Sequence, residues 1–186
     1  MDTWVWVVII AAAVVLFLAC AFWLIRRLRE RRSLREWFGP EYDRRVKSAR
    51  SRRRAEGDLA KRAERRQALA IRPLTHAARA RYTAQWNELQ VRFVDRPQVV
   101  VVEADDLVTE VMRERGYPVE DFESQSELVS VDHPQVVQSY RDAHGIYTKA
   151  TTGEASTEDL RRAVIAYRDL FEKLVTDGNR SDDRTA

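Results

Sequence analysis

Residues 82–93 read YTAQWNELQVRF, and their large apolar side chains recur at the spacing of a helix. Tyr82, Trp86, Leu89 and Phe93 are separated by four, three and four residues, which places them on one face of an α-helix. A face of that width normally packs against a protein core. We therefore expect a helix here, with the tryptophan buried.

The same spacing recurs toward the C-terminus, and all five prolines lie at the boundaries between the resulting segments. A short helix is expected over 119–129, Asp132 is expected to cap the next helix, and Ser156 to Asp159 resembles a capping box. The residues expected to face inward are Val100, Val101, Ala104, Leu107, Val108, Val111 and Met112, then Val136, Val137, Tyr140, Ala143, His144 and Tyr147, then Leu160, Val164, Tyr167, Leu170, Phe171 and Leu174. The pattern predicts an all-α fold, with an antiparallel bundle of about four to five helices over 73–176.

One stretch favours a different structure by its local preference. Residues 99–102 are four valines in a row, and β-branched side chains favour strands. No second strand candidate exists to pair with them. We therefore predict a helix here, on the grounds that tertiary context overrides local propensity.

Charge divides the chain into two parts. Residues 26–66 hold 17 basic and 7 acidic residues, whereas residues 67–186 hold 15 basic and 21 acidic ones. We interpret 26–72 as a basic helical juxtamembrane linker, broken at Gly39-Pro40 and again at Gly57-Asp58. Residues 177–186 are expected to form a disordered tail.

The segment before the linker, residues 4–25, contains no charged residue. As a helix it would extend roughly 33 Å, enough to cross the hydrocarbon core of a bilayer. The sequence therefore predicts a single N-terminal transmembrane helix, with 1–25 as an anchor. A cleaved signal peptide is the alternative, because Ala19 to Ala21 resembles a cleavage site, but Asp2 stands where positive charge is expected.

Topology follows from the arginines after this segment. Basic residues collect on the cytoplasmic side of a membrane span. This rule predicts a single-pass plasma-membrane protein with its N-terminus outside and its helical domain in the cytoplasm. The residues expected to contact anionic lipid head groups are Arg26, Arg27, Arg29, Arg31, Arg32 and Arg35.

Nucleic acid is a weaker candidate partner of the basic segment. Residues 44–66 include Arg50 to Arg54, which would suit phosphates. However, residues 43–81 contain no aromatic residue that could stack on bases.

Composition excludes several classes of chemistry. The six glycines are scattered, which excludes a Walker loop and a dinucleotide-binding loop. Cys20 is the only cysteine, which excludes an intrachain disulfide framework. The three histidines, His76, His133 and His144, include no pair at zinc-binding helical spacing, and His133 is expected at a helix start. We predict no cofactor, no metal and no catalytic residue.

One acidic helix face is a candidate for binding another protein. Glu103, Asp106, Glu110 and Glu114 follow a spacing of three, four and four, so they share one side of the predicted helix. Carboxylate-bridged metal sites also need a Glu-x-x-His motif on partner helices, and none is present. Such a face is usually solvated, and it would attract a basic protein partner.

Several short motifs together resemble an uncharacterised family of bacterial single-span membrane proteins with a cytoplasmic helical domain. The motifs are Phe38 to Arg44, Phe93 to Asp95, Ala104 to Met112, Arg115 to Pro118, Ser130 to Pro134, Thr157 to Arg161 and Tyr167-Arg168. The resemblance covers about residues 34–175. It implies an anchor followed by a helical domain, and it implies no activity.

These observations favour a non-enzymatic, membrane-anchored protein-interaction module, of the scaffold or adaptor kind. Its expected partners are the lipid bilayer and another protein, which could be a second copy of the chain. Two alternatives remain: an enzyme whose site is assembled from scattered residues, and a membrane-tethered nucleic-acid binder that uses 44–66.

Overall fold

The computed structural model describes Trp4 and residues 35–177, and every regular element in that part of the chain is a helix. The all-α class and the helical bundle are therefore confirmed. Seven helices have both ends within these residues: α1 Pro40–Ser48, α2 Arg52–Gln67, α3 His76–Arg92, α4 Pro97–Arg115, α5 Phe122–Asp132, α6 Val137–Thr151 and α7 Thr157–Thr176. Contacts divide the chain into two compact units, the first ending at Glu56 and the second beginning at Gly57.

The predicted transmembrane helix must be corrected. No helix in the described part of the chain is long and apolar enough to cross a bilayer. Even α7, which has 20 residues, carries Glu158, Arg161 and Arg168, and charged side chains are costly inside a membrane. The residues of the predicted span, apart from Trp4, lie outside the described chain, as do residues 178–186 of the predicted tail.

Local sequence sets several helix ends. The Thr75 side chain accepts a hydrogen bond from the backbone N–H of Ala78 and so caps α3. The capping box before α7 is confirmed, since Ser156 and Asp159 each accept a hydrogen bond from the other's backbone N–H. Gly116 ends α4 with a φ of 96°, a left-handed conformation that favours glycine.

The core of the second unit forms around α4, which packs against α3, α6 and α7. Trp86 is buried as predicted and stacks on Phe171, with ring centroids 4.8 Å apart. Tyr140 and Tyr167 meet edge to face at 6.1 Å. The amphipathic spacing read from the sequence therefore identifies the faces that meet in the core.

The valine run is helical, as predicted, and lies in the first turns of α4. Val100 and Val101 are almost fully buried, whereas Val99 remains 47% exposed. Burial of the two central valines against the bundle offsets the low helix propensity of β-branched side chains.

The first unit contains α1 and the start of α2. Gly39 precedes α1 with a φ of 46°, and Pro40 occupies the first turn, as the sequence predicts. Tyr42 is buried and donates a hydrogen bond from its hydroxyl to Glu56 Oε1 at 3.0 Å. Arg52 donates in turn to the Tyr42 hydroxyl, from Nε at 3.1 Å and from Nη2 at 2.9 Å.

Three predicted boundaries are wrong. The short helix expected over 119–129 runs over Phe122–Asp132. Gly57-Asp58 does not interrupt the chain, because α2 runs through both residues. A glycine inside a helix costs only about 1 kcal/mol relative to alanine, which a 16-residue helix can absorb. Asp132 caps no following helix, because it is the last residue of α5.

His133, which was expected at the start of a helix, instead follows the end of α5, because that helix extends through Asp132. It follows α5, with its backbone N–H donating to the carbonyl of Val129 at 2.7 Å, and α6 begins only at Val137. The imidazole is buried, and burial lowers the pKa of His133. Its Nε2 lies 3.4 Å from a carboxylate oxygen of Asp177. The residue closes the end of α5 and does not start a helix.

Candidate protein-interaction site

The four acidic residues predicted on α4 lie along the side of that helix next to α3. Two of them form ion pairs with arginines of α3. Glu103 accepts hydrogen bonds from Arg92 at 2.5 and 3.2 Å, and Glu114 accepts one from Arg81 at 2.7 Å. These two carboxylates therefore hold α3 against α4.

Tyr82 adds to the contact at Glu114. Its hydroxyl donates to Glu114 Oε2 at 2.5 Å and lies 3.5 Å from Glu110 Oε1. Burial and the bond to Glu114 raise the pKa of Tyr82 to about 12, so the phenol remains a donor at neutral pH. The Arg81 guanidinium lies over the Tyr82 ring, 4.6 Å from its centroid.

The other two predicted residues, Asp106 and Glu110, line a groove between α3 and α4 with a volume of about 300 Å³. We call it the α3–α4 groove. Its lining residues are Gln85, Glu88, Leu89, Arg92, Glu103, Asp106, Leu107 and Glu110. The groove thus combines two leucines with four carboxylates and one guanidinium.

The groove is electrostatically negative. Arg92 is the only basic residue among those that line it. Its guanidinium already forms an ion pair with Glu103 and lies 3.8 Å from Glu88. Partial burial, together with the charges of Asp105 and Glu103, raises the pKa of Asp106. A cation placed beside Asp106 and Glu110 would relieve this repulsion.

A buried polar cluster that the sequence reasoning missed lies on the opposite side of α4. Tyr167 donates its hydroxyl proton to Asp105 Oδ1 at 2.8 Å, and His144 Nδ1 lies 3.3 Å from the same oxygen. The His144 ring stacks on Phe122 at 3.6 Å and on Tyr147 at 5.2 Å. The cluster ties α4 to α6 and α7.

A signal for this cluster exists in the sequence. Asp105 follows Val101 by four residues and precedes Val108 by three, so an acid occupies a core position of the α4 stripe. A buried carboxylate needs hydrogen-bonded partners. Helical spacing could not identify those partners, because His144 and Tyr167 come from helices far along the chain.

The contact with Asp105 orients the His144 ring. An aspartate that accepts from Nδ1 fixes the ring, as in hydrolase triads. Within the described residues, no hydroxyl or thiol forms a hydrogen bond with the His144 ring. No group of three metal-binding side chains occurs in that part of the chain either. The observed contacts of the cluster connect α4, α6 and α7.

A second charged surface joins α2 to α5. Glu127 accepts from Arg62 Nη2 at 2.9 Å and from Arg65 Nη2 at 2.5 Å, and Arg66 Nε donates to Asp132 at 2.5 Å. We call Glu127 and Asp132 the α5 acidic surface. The sequence reasoning separated these arginines from the domain, because it assigned them to the linker.

The predicted lipid-contact residues fall mostly outside the described chain. Arg26, Arg27, Arg29, Arg31 and Arg32 are all in that group. Arg35 is described: its side chain is 64% exposed, and its Nη2 lies 3.6 Å from a carboxylate oxygen of Asp43. The lipid contacts therefore stay a prediction.

Comparisons of the chain with protein-family models, curated proteins and solved structures give no match. The resemblance to a bacterial single-span family therefore stays a prediction.

Proposed function

We propose that this protein is a non-enzymatic interaction module that binds a basic, amphipathic segment of another protein in the α3–α4 groove. The transmembrane attachment expected from the sequence is not part of the proposal. A role as a scaffold or adaptor is consistent with a helical bundle that presents a groove of this kind.

The observation that supports the proposal is the charge balance of the groove. Asp106 and Glu110 add to the negative charge of Glu88 and Glu103, and Arg92 compensates only part of it. Leu89 and Leu107 supply an apolar floor. Lysines or arginines would complement the rim and leucine-like side chains the floor, as when an amphipathic helix occupies a groove.

The neighbouring apolar surface supports the same conclusion. Val91 and Val94, near the C-terminal end of α3, are 77% and 85% exposed, and Val99 at the start of α4 is 47% exposed. Single exposed valines are ordinary, but three within nine residues flank the turn that joins the two groove helices. A partner segment longer than the groove could cover them.

The test uses fluorescence anisotropy of a labelled helical peptide that carries leucine and lysine on opposite faces. The full chain should bind it, and Asp106→Asn with Glu110→Gln should weaken binding about tenfold, the equivalent of roughly 1.4 kcal/mol. The matched control is Asp142→Asn with Asp169→Asn, which removes two carboxylates from a different groove, between α6 and α7.

The control pair should bind the peptide as the unchanged chain does. Equal weakening by both pairs would show general charge attraction, and no weakening by either would place the partner elsewhere. Both results contradict the proposal. A peptide with glutamate in place of lysine should not bind.

A further inference from the structure

Successive arginines of α2 form ion pairs with successive acidic residues of α5. Arg62 and Arg65 meet Glu127, and Arg66, at the next position, meets Asp132. The Arg62 side chain is only 4% exposed, whereas the Arg65 side chain is 55% exposed. The contact is therefore an arginine-bearing helix seated on the α5 acidic surface, with one buried ion pair and two more accessible ones.

Three ion pairs join α2 to α5, and the hydrophobic core described for the second unit includes no residue of α2. Leu59 and Ala63 of α2 are buried, yet neither belongs to that core. Ionic attraction between accessible groups weakens as salt rises and can be exchanged for another anion. Separation of α2 from α5 would break these ion pairs without removing a residue from that core.

The connection after α2 separates a movable part from a fixed part. Residues 69–75 form no helix. Arg72 is fixed to α4, because its backbone N–H donates to the Arg115 carbonyl at 2.8 Å and its carbonyl accepts from Arg115 Nε at 3.3 Å. Leu69 and Ile71 already pack against the core, so a change of backbone angles at residues 67 and 68 could swing α2 while the bundle stays anchored.

We propose that α2 is a displaceable strap, which leaves the α5 acidic surface when its arginines bind the phosphate groups of an anionic lipid surface. The helix carries seven basic and three acidic residues. Guanidinium groups bind phosphate as well as carboxylate in a bidentate manner. This inference is independent of the α3–α4 groove.

Lipid is favoured over nucleic acid by the composition of the strap. Residues 43–81 contain no aromatic side chain to stack on bases. A leaflet presents many phosphates in one plane and needs no stacking. Departure of α2 would expose Glu127 and Asp132. Binding of α2 to lipid would therefore make the α5 acidic surface accessible, and both events would favour the state in which α2 has left α5.

The test measures the distance between α2 and α5 by spin labels in the full chain. Lys61→Cys and Glu123→Cys each lie one turn before an ion-paired residue, Arg65 and Glu127, and Cys20→Ser removes the native thiol. In bicelles of phosphatidylcholine the labels should show one short distance. Replacement of part of the lipid with phosphatidylserine should reduce the short-distance population severalfold, and high salt should remove the dependence on phosphatidylserine.

Two variants show whether the labels report the strap. Glu127→Gln, which removes the charge that Arg62 and Arg65 meet, should lengthen the distance in neutral bicelles, with unchanged helix content in circular dichroism. Arg161→Gln with Arg168→Gln, which removes two positive charges from α7, should respond to phosphatidylserine as the unchanged chain does. A short distance that persists in phosphatidylserine at low salt would overturn the proposal. Opening by duplex DNA but not by anionic bicelles would also overturn it and assign α2 to nucleic acid.

Discussion

Helices α2 and α4 are both rich in charge, yet they are held in place by different forces. Nine residues of α4 are buried, and the helix packs against α3, α6 and α7. Helix α2 has buried residues of its own, Leu59 and Ala63, but adds none to the core of the second unit. Its Arg62, Arg65 and Arg66 form ion pairs with α5. The difference shows that helix formation alone does not reveal how firmly a helix is attached.

The two kinds of attachment respond differently to solution conditions. Apolar burial is insensitive to moderate salt, whereas ion pairs between accessible groups are screened within about 8 Å at physiological ionic strength. Substitutions in the apolar core and in the α2–α5 ion pairs should therefore change the free energy of unfolding by different amounts and with different dependence on salt.

The largest effect is expected in the core. Trp86→Ala should reduce the free energy of unfolding by about 3–5 kcal/mol, because the indole is buried and stacks on Phe171. Denaturant unfolding followed by circular dichroism measures the change. Val91→Ala, at a site on the same helix that is 77% exposed, should change it by less than about 0.5 kcal/mol. A loss below about 1 kcal/mol at Trp86 would remove it from the core.

A smaller effect is expected where α2 meets α5. Arg62→Ala should cost about 2 kcal/mol, since it leaves the mostly buried Glu127 carboxylate without one charged partner. Arg65→Ala should cost less than about 1 kcal/mol, because that arginine is exposed and Arg62 remains. The same unfolding experiment at low and high salt separates them. Equal losses, unchanged by salt, would mean that α2 is attached by packing after all.

The last two effects concern glycines, Gly116 at the end of α4 and Gly57 inside α2. Gly116→Ala should cost about 1–2 kcal/mol, because its φ is 96° and the new methyl group would lie 3.0 Å from the Ala70 carbonyl oxygen. Gly57→Ala should stabilise the protein by about 0.5–1 kcal/mol, since it lies inside α2 with open space around a Cβ. Thermal unfolding of both variants measures this. A destabilising Gly57→Ala would show that the strap already sits against a neighbour at that position.

Much of the fold was predictable because it depends on short-range spacing. The apolar stripe of α3, the capping box at Ser156 and the glycine that ends α4 all act within a few residues. The helix over 99–102 was predicted only by the lack of a pairing strand, and burial of Val100 and Val101 supplies its physical cause.

The candidate site was predictable only in part. The spacing correctly placed Asp106 and Glu110 on one face of α4. In the structure, both residues line the α3–α4 groove. The same spacing could not reveal that Glu103 is paired with Arg92 and Glu114 with Arg81. Pairing between helices depends on how they pack, which a one-dimensional period does not encode.

By itself, the sequence determined the helical class, the inward faces and the separation of basic from acidic segments, because each depends on composition or on neighbours within two turns. The tertiary structure alone decided which charges meet. It places Asp105 with His144 and Tyr167, and it seats the arginines of α2 on the α5 acidic surface. These partners are 39 to 66 residues apart in the chain, so only the packing of the helices brings them within hydrogen-bonding distance.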